Sequence, residues 1–220
     1  MAIVTTTTRM APSETDPKNV LLTKNYPSIC PISSPAFLSG AKNLLEARGV
    51  VFLFRDLDED NDKYAGLSIE EVSSLHDMKL APWTLVEADG ASRMPLKGYA
   101  EYEPPLPVSF DCQVVVVGAD AFTQPMNEFT TARFEILRRF LGVERDAALT
   151  PPLLLRMLTS PDMYLKNSPS RVKRVLCVNK ADLISSDELA LWVTYLRSHL
   201  SRYHGILVTG RDGEIFYGLE

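Results

Sequence analysis

The sequence predicts an α/β protein in which a mostly parallel sheet carries helices on both faces, and three observations predict it. Runs at 2–6, 50–54, 84–87, 113–117, 172–178 and 206–209 are β-rich and almost continuously apolar. Strands of that kind, without polar alternation, suit a parallel sheet covered on two sides. Between several of these runs stand helical stripes behind recognisable starting signals, and strands alternating with helices specify a doubly wound architecture. Neither an internal repeat nor a low-complexity linker interrupts the pattern, so the expectation is one domain over residues 1–220.

Each helix has its own warrant. Ser68 followed by Glu71 has the spacing of a capping box and opens a helix through about Asp77. Phe134, Leu137 and Leu141 form an apolar stripe that predicts a helix over 128–141. Thr150 followed by Pro151 reads as an N-cap with proline at the first helical position. Ser185 and Glu188 repeat the capping-box spacing, and Leu189, Val193, Leu196 and Leu200 then share one face. The proline-rich stretches 11–37 and 95–110 are expected to be irregular.

Composition narrows the function classes. The chain is 45% hydrophobic and 23% charged with a net charge of −5, which provides no basic stripe for nucleic acid. Its longest apolar runs, VVFLF and VVVVG, are strand-sized and too short to span a bilayer. The start, MAIVTTTTRM, lacks the regions of a secretion signal. Cys30, Cys112 and Cys177 are widely separated, with no C-x-x-C, which fits a reducing, cytoplasmic setting.

In an open parallel sheet, ligands bind beyond the carboxyl ends of the strands. After the first strand come Thr5, Thr6, Thr7, Thr8 and Arg9, which read either as a threonine-rich strand or as hydroxyls and a cation near phosphate or Mg²⁺. After the third, Glu87 and Asp89 lie two apart, the spacing that places two carboxylates on one side of a strand tip. Such a pair suits a hydrated Mg²⁺, which needs only one or two protein ligands, or else forms a solvated acidic turn. Arg93 and Lys97 follow with positive charge. After the fourth, Asp120 is either a crevice residue or an ordinary turn aspartate.

The fifth strand ends in Asn179, Lys180, Ala181 and Asp182. N-K-x-D at a strand end reads guanine, because a carboxylate accepts two N–H groups from that base in a charge-assisted fork that adenine cannot supply. The alternative is a turn in which Asp182 bonds only local backbone. No G-x-x-x-x-G-K-[ST] phosphate loop occurs in the 220 residues. The acid-rich DLDEDND stretch from Asp56 to Asp62 fails as a calcium loop, since position six is not glycine and position twelve is Leu67 or Ile69. His76, His199 and His204 have neither metal-ligand spacing nor a partnered nucleophile.

Taken in order, VTTTTRM, LVEADGASRMPLKGYAEYEP, VVVVGADAF, LTPPLLLRML and RVLCVNKADL resemble the YqeC-like family of selenium-dependent molybdenum hydroxylase accessory proteins. The similarity runs from about Val4 to at least Asp182. It implies a P-loop-NTPase-like fold and a role in maturing a molybdenum hydroxylase or its cofactor. In that family a glycine-rich loop and its helix precede the TTTT strand, at which this chain begins. The resemblance therefore implies that the first strand, phosphate loop and first helix are missing here. It places a nucleotide, with Mg²⁺ and GTP or ATP, near Thr5 to Thr8, Glu87, Asp89 and the Asn179–Asp182 loop. The implied partners are that nucleotide and a molybdenum hydroxylase or cofactor-maturation protein, with no nucleic acid or membrane. Two other expectations compete with it: a binding module without hydrolysis, and a sulfur- or selenium-transferring enzyme using Cys30.

Overall fold

The computed structural model describes residues 1–26 and 31–219, so Cys30 lies outside the described residues. The chain is α/β with parallel sheets, and it gathers into two compact units where the sequence suggests one. Unit 1 comprises Met1–Gly90 and Pro105–Phe110; unit 2 comprises Ala91–Pro104 and Asp111–Glu220.

Unit 1 is built on four parallel strands, β1 (Ala2–Thr6), β2 (Val20–Leu22), β3 (Val50–Phe54) and β4 (Trp83–Glu87), in the order β2-β3-β1-β4. Successive side chains point to opposite faces. Ile3, Val51 and Leu53 therefore meet Phe37 and Leu45 of α1 (Pro35–Arg48) and Val72 and Leu75 of α2 (Ile69–Met78) in one core. Val4, Phe52 and Phe54 point the other way, against Met10 and Tyr64, with the Phe54 and Tyr64 rings stacked at 4.5 Å. Both helices thus serve one face, which corrects the expectation of helices on both. The second face is met by a small antiparallel sheet of Arg9–Met10, Lys63–Ala65 and Asp56–Asp58. The acidic stretch is the hairpin of this sheet, where Asp56 pairs with Lys24 and Asp58 lies 3.4 Å from Arg9.

Local chemistry explains the two helices. Both halves of the capping box form at α2, with the Glu71 N–H donating to Ser68 Oγ at 3.2 Å and the Ser68 N–H to Glu71 Oε2 at 2.8 Å. A reciprocal box satisfies two of the four orphan N–H groups at a helix start. Helix α1 begins with Ser34 as N-cap and Pro35 at N1, and stops at Gly49, whose φ of 76° suits glycine.

Unit 2 repeats the plan with β5 (Cys112–Gly118), β6 (Lys173–Asn179), β7 (Gly205–Thr209) and β8 (Ile215–Leu219), ordered β8-β7-β6-β5. The β5, β6 and β7 strands are parallel, and β8 runs antiparallel to β7. Val115, Val117, Leu176, Val178, Ile206 and Val208 share one core with α3 (Phe134–Leu141), α4 (Pro151–Thr159) and α5 (Ser186–His199). Within it Trp192 stacks on Phe122 at 4.0 Å. The opposite face of β5 exposes Cys112, Val114 and Val116, so here too the helices lie on one face.

Three local expectations are corrected. Helix α3 is confined to Phe134–Leu141, because Thr131–Ala132 is drawn into parallel pairing with Leu96–Lys97. Thr150 precedes α4, but its side chain makes no capping bond. The stretch expected to be irregular contains β2 and the start of α1.

Candidate functional site

The carboxyl ends of β5, β6 and β7 bring together three segments of unit 2. Parallel register sets Gly118 beside Asn179 and Val178 beside Val208, so the residues that follow form a cluster. Asn179 is oriented through its Oδ1, which accepts from the Lys180 N–H at 2.7 Å and the Thr209 hydroxyl at 3.0 Å. Both bonds fall on the oxygen, and the Nδ2 amide, the donor end of the side chain, takes part in neither.

Lys180 adopts the left-handed conformation, at φ 61°, which is uncommon for a residue with a side chain. Its Nζ donates to Asp120 Oδ2 at 2.9 Å and to the Arg93 carbonyl at 3.1 Å. One ammonium thus joins the 91–104 segment, the turn after β5 and the N-K-A-D loop. Asp120 is 9% exposed, and its other oxygen, Oδ1, has no hydrogen-bond partner. A Cβ at position 118 would lie 2.3 Å from Asp120 Oδ1 and 2.7 Å from Pro95 Cβ. Glycine is therefore required for the Asp120 carboxylate to fold back over the strand end.

Asp182 lies in a short 3-10 turn, Ala181–Leu183, with its side chain 27% exposed. Its Oδ1 accepts the Arg211 N–H at 2.9 Å and its Oδ2 the Arg211 Nε at 2.6 Å. The Arg211 side-chain bond holds the Asp182 carboxyl below its usual range, against a smaller opposing effect of desolvation.

The remaining cations of unit 2 are placed differently. Arg93 has an exposed side chain and contributes its carbonyl to Lys180. Lys97 is 5% exposed, and its Nζ lies 2.8 Å from Glu103 Oε1. Glu103 Oε2 accepts from Arg133 Nε at 2.7 Å and from the Ala100 N–H at 3.1 Å. Desolvation pushes the Glu103 pKa up, but the bonds from Lys97, Ala100 and Arg133 together outweigh it and hold the pKa below the ordinary value. Lys97 therefore braces the 97–103 segment and does not display its charge.

Unit 1 holds the other predicted residues. Thr5 and Thr6 are fully buried, with the Thr5 hydroxyl donating to the Leu53 carbonyl at 2.6 Å and the Thr6 hydroxyl to that of Glu87 at 2.8 Å. Thr8 Oγ1 lies 2.8 Å from Thr6 Oγ1, and Thr7 donates to the Pro105 carbonyl at 2.9 Å. Thr7 and Thr8 are half-exposed, as are Glu87 and Asp89, while Arg9 is exposed. Glu87 ends β4 in register with Thr6, so the threonine stretch and the two acids do share one strand-end region. No group of three or more His, Cys, Asp or Glu suited to a metal occurs among the described residues.

Thr209, Arg211, Glu103 and Arg133 escape a reading of the sequence. Only Arg211 had any available signal, as a base just beyond the carboxyl end of a predicted strand.

With this geometry in view, comparison with known proteins supplies the family. A family model described as the YqeC protein matches residues 1–135. The chain belongs to the YqeC family. It is 26% identical over 164 residues to the uncharacterized protein YqeC of Escherichia coli (strain K12), covering 68% of this chain and 64% of that relative. It thus spans about two thirds, 64%, of that YqeC protein's length. No solved structure matches. No helix among the described residues is long and apolar enough to cross a membrane.

Proposed function

We propose that this YqeC chain is a nucleotide-binding, P-loop-NTPase-like accessory protein in the maturation of a selenium-dependent molybdenum hydroxylase or its cofactor. The nucleotide part is carried by one observation, the Asn179–Lys180–Asp182 loop at the carboxyl end of a parallel sheet. There the Asp182 carboxylate presents both oxygens to a pair of N–H donors, the requirement for reading guanine. Asn179, braced by Thr209, offers its amide to the same ligand, and Lys180 holds the loop in place through Asp120. The hydroxylase part rests on family resemblance alone. If Mg²⁺ binds, Glu87 and Asp89 at the end of β4 would hold it, since such an ion needs only one or two protein ligands.

The test is competition among GDP, ADP and xanthosine diphosphate for the unmodified protein and Asp182→Asn. GDP is expected to be preferred, and the substitution should weaken it by about ten- to hundredfold while favouring the xanthine base. Equal competition by ADP and GDP would show that the loop does not read guanine.

One observation favours a second reading, a binding module without hydrolysis. Three of the candidate cations are committed to carboxylates within the protein: Arg9 to Asp58, Lys97 to Glu103 and Lys180 to Asp120.

A further inference from the structure

The donors that now occupy Asp182 are arranged as a guanine edge would be. Guanine offers a ring N–H and an exocyclic N–H side by side, and a carboxylate accepts them one per oxygen. Arg211 offers its main-chain N–H to Oδ1 at 2.9 Å and its Nε–H to Oδ2 at 2.6 Å, likewise one per oxygen. A carboxylate has further lone pairs, but the two in-line positions of a bidentate fork are filled. A base seated on Asp182 must therefore displace Arg211.

We propose that Arg211 is an internal competitor of the base site, a stand-in for guanine whose side chain must leave Asp182 before any base is read there. This rests on the reading of the N-K-A-D loop as a base site. An incoming base must replace both donors at once to regain what the carboxylate loses. Guanine can do so. Adenine presents an acceptor where the ring N–H is needed, and would leave the carboxylate short of one bond, which costs more than the bond contributes when made. The pair broken in the free protein is the same whichever base arrives, so Arg211 lowers affinity for every base read through Asp182 by one factor and leaves the preference for guanine to the base's own fit.

The anchoring is reversible by construction. Arg211 is 62% exposed at the side chain, so a displaced guanidinium returns to water without a burial penalty. It lies in the turn between β7 and β8, closed by the Gly210 N–H on the Glu214 carbonyl and the Gly213 N–H on the Gly210 carbonyl. Neither bond uses the Arg211 side chain, so its release leaves the turn's own hydrogen bonds intact. Asp182, by contrast, is fixed in its 3-10 turn, where the Leu183 N–H donates to the Lys180 carbonyl at 3.0 Å.

The test measures fluorescent GDP and ADP binding, with Mg²⁺, to the full chain and to Arg211→Ala, Asp182→Asn and the double variant. Arg211→Ala is expected to bind GDP roughly three- to tenfold tighter, because the exposed side-chain pair is gone and only the main-chain N–H still competes for Oδ1. Its preference for GDP over ADP should stay as it was, since the lost pair is common to both, and the gain should vanish in the double variant. Unchanged or weaker GDP binding by Arg211→Ala, with binding still dependent on Asp182, would overturn the role of Arg211 and leave the base site standing. Binding independent of Asp182, or none in any variant, would overturn both. As the replaced side chain is exposed, folding is not at issue, and the Asp182 carboxyl should titrate closer to its usual range in Arg211→Ala.

Discussion

At the residue scale, the chemistry of this chain depends on which charges neutralise one another. Glu103 takes bonds from Lys97, Arg133 and a main-chain N–H while only 7% exposed. Removing one partner of a buried ion pair leaves the other uncompensated, so Glu103→Ala is expected to cost about 3–5 kcal/mol, measured by urea unfolding. The pH dependence follows in sign. The Glu103 pKa is lowered from its ordinary 4.5, so the unfolded chain binds its proton at higher pH than the folded one. The stabilisation is present above pH 4.5 and is lost as pH falls through the lowered value. Unfolding midpoints between pH 7 and 3 should drop on the acid side for the unmodified protein, and Glu103→Gln should flatten that limb. A Glu103→Gln profile superimposable on the parent would remove Glu103 from the acid response. None of these pairings is legible in the sequence. Lys180 and Asp120 are 60 residues apart, and Arg211 and Asp182 are 29 apart, so only the fold brings them together. What can be read is the motif, because Asn179, Lys180 and Asp182 are neighbours in the chain.

At the scale of elements, legibility follows length and continuity. Runs such as VVFLF and VVVVG are identifiable as strands because nothing polar interrupts them. Helix α1 is harder to see, although Ser34, Pro35 and Gly49 are correct start and stop signals. Its apolar stripe of Phe37, Ala41 and Leu45 contains a small residue, Gly40 lies within it, and a proline-rich stretch precedes it. Continuous apolar character also hid which face was covered. Edge strand β4 leaves Trp83 68% and Leu85 54% exposed, and edge strand β5 leaves Val114 55% and Val116 54% exposed. Apolar edge strands with unpaired backbone groups are templates for association. Val114→Thr combined with Val116→Lys should therefore reduce concentration-dependent self-association in light scattering. Stability should change by no more than about 0.5 kcal/mol, since both side chains face outward. Undiminished association would shift attention to Trp83 and Leu85 on β4.

At the scale of the molecule, the N-K-A-D loop, proposed to read a base, stands in a sequence of 220 residues that contains no G-x-x-x-x-G-K-[ST] segment. Phosphoryl transfer depends on positioning and on stabilising charge over the transferred group, which P-loop enzymes achieve with main-chain N–H groups, a lysine and a metal. None of the 11 glycines here belongs to a G-x-x-x-x-G-K-[ST] segment. Three of the candidate cations already face carboxylates: Lys97 is buried against Glu103, Lys180 is held by Asp120, and Arg9 pairs with Asp58. Moving Lys180 onto a phosphate would leave the buried Asp120 carboxylate without its cation, and moving Lys97 would strip the buried Glu103 of one of its two cations. Binding and hydrolysis should accordingly separate in these 220 residues. Guanine nucleotide should bind through Asp182, while turnover of GTP or ATP with Mg²⁺ stays at the level of buffer. Phosphate release and a thermal shift, measured on the same sample, check both halves. Robust turnover abolished by Lys180→Met or Asp89→Ala would overturn this, because it would show that the chain's own strand ends position a phosphoryl group.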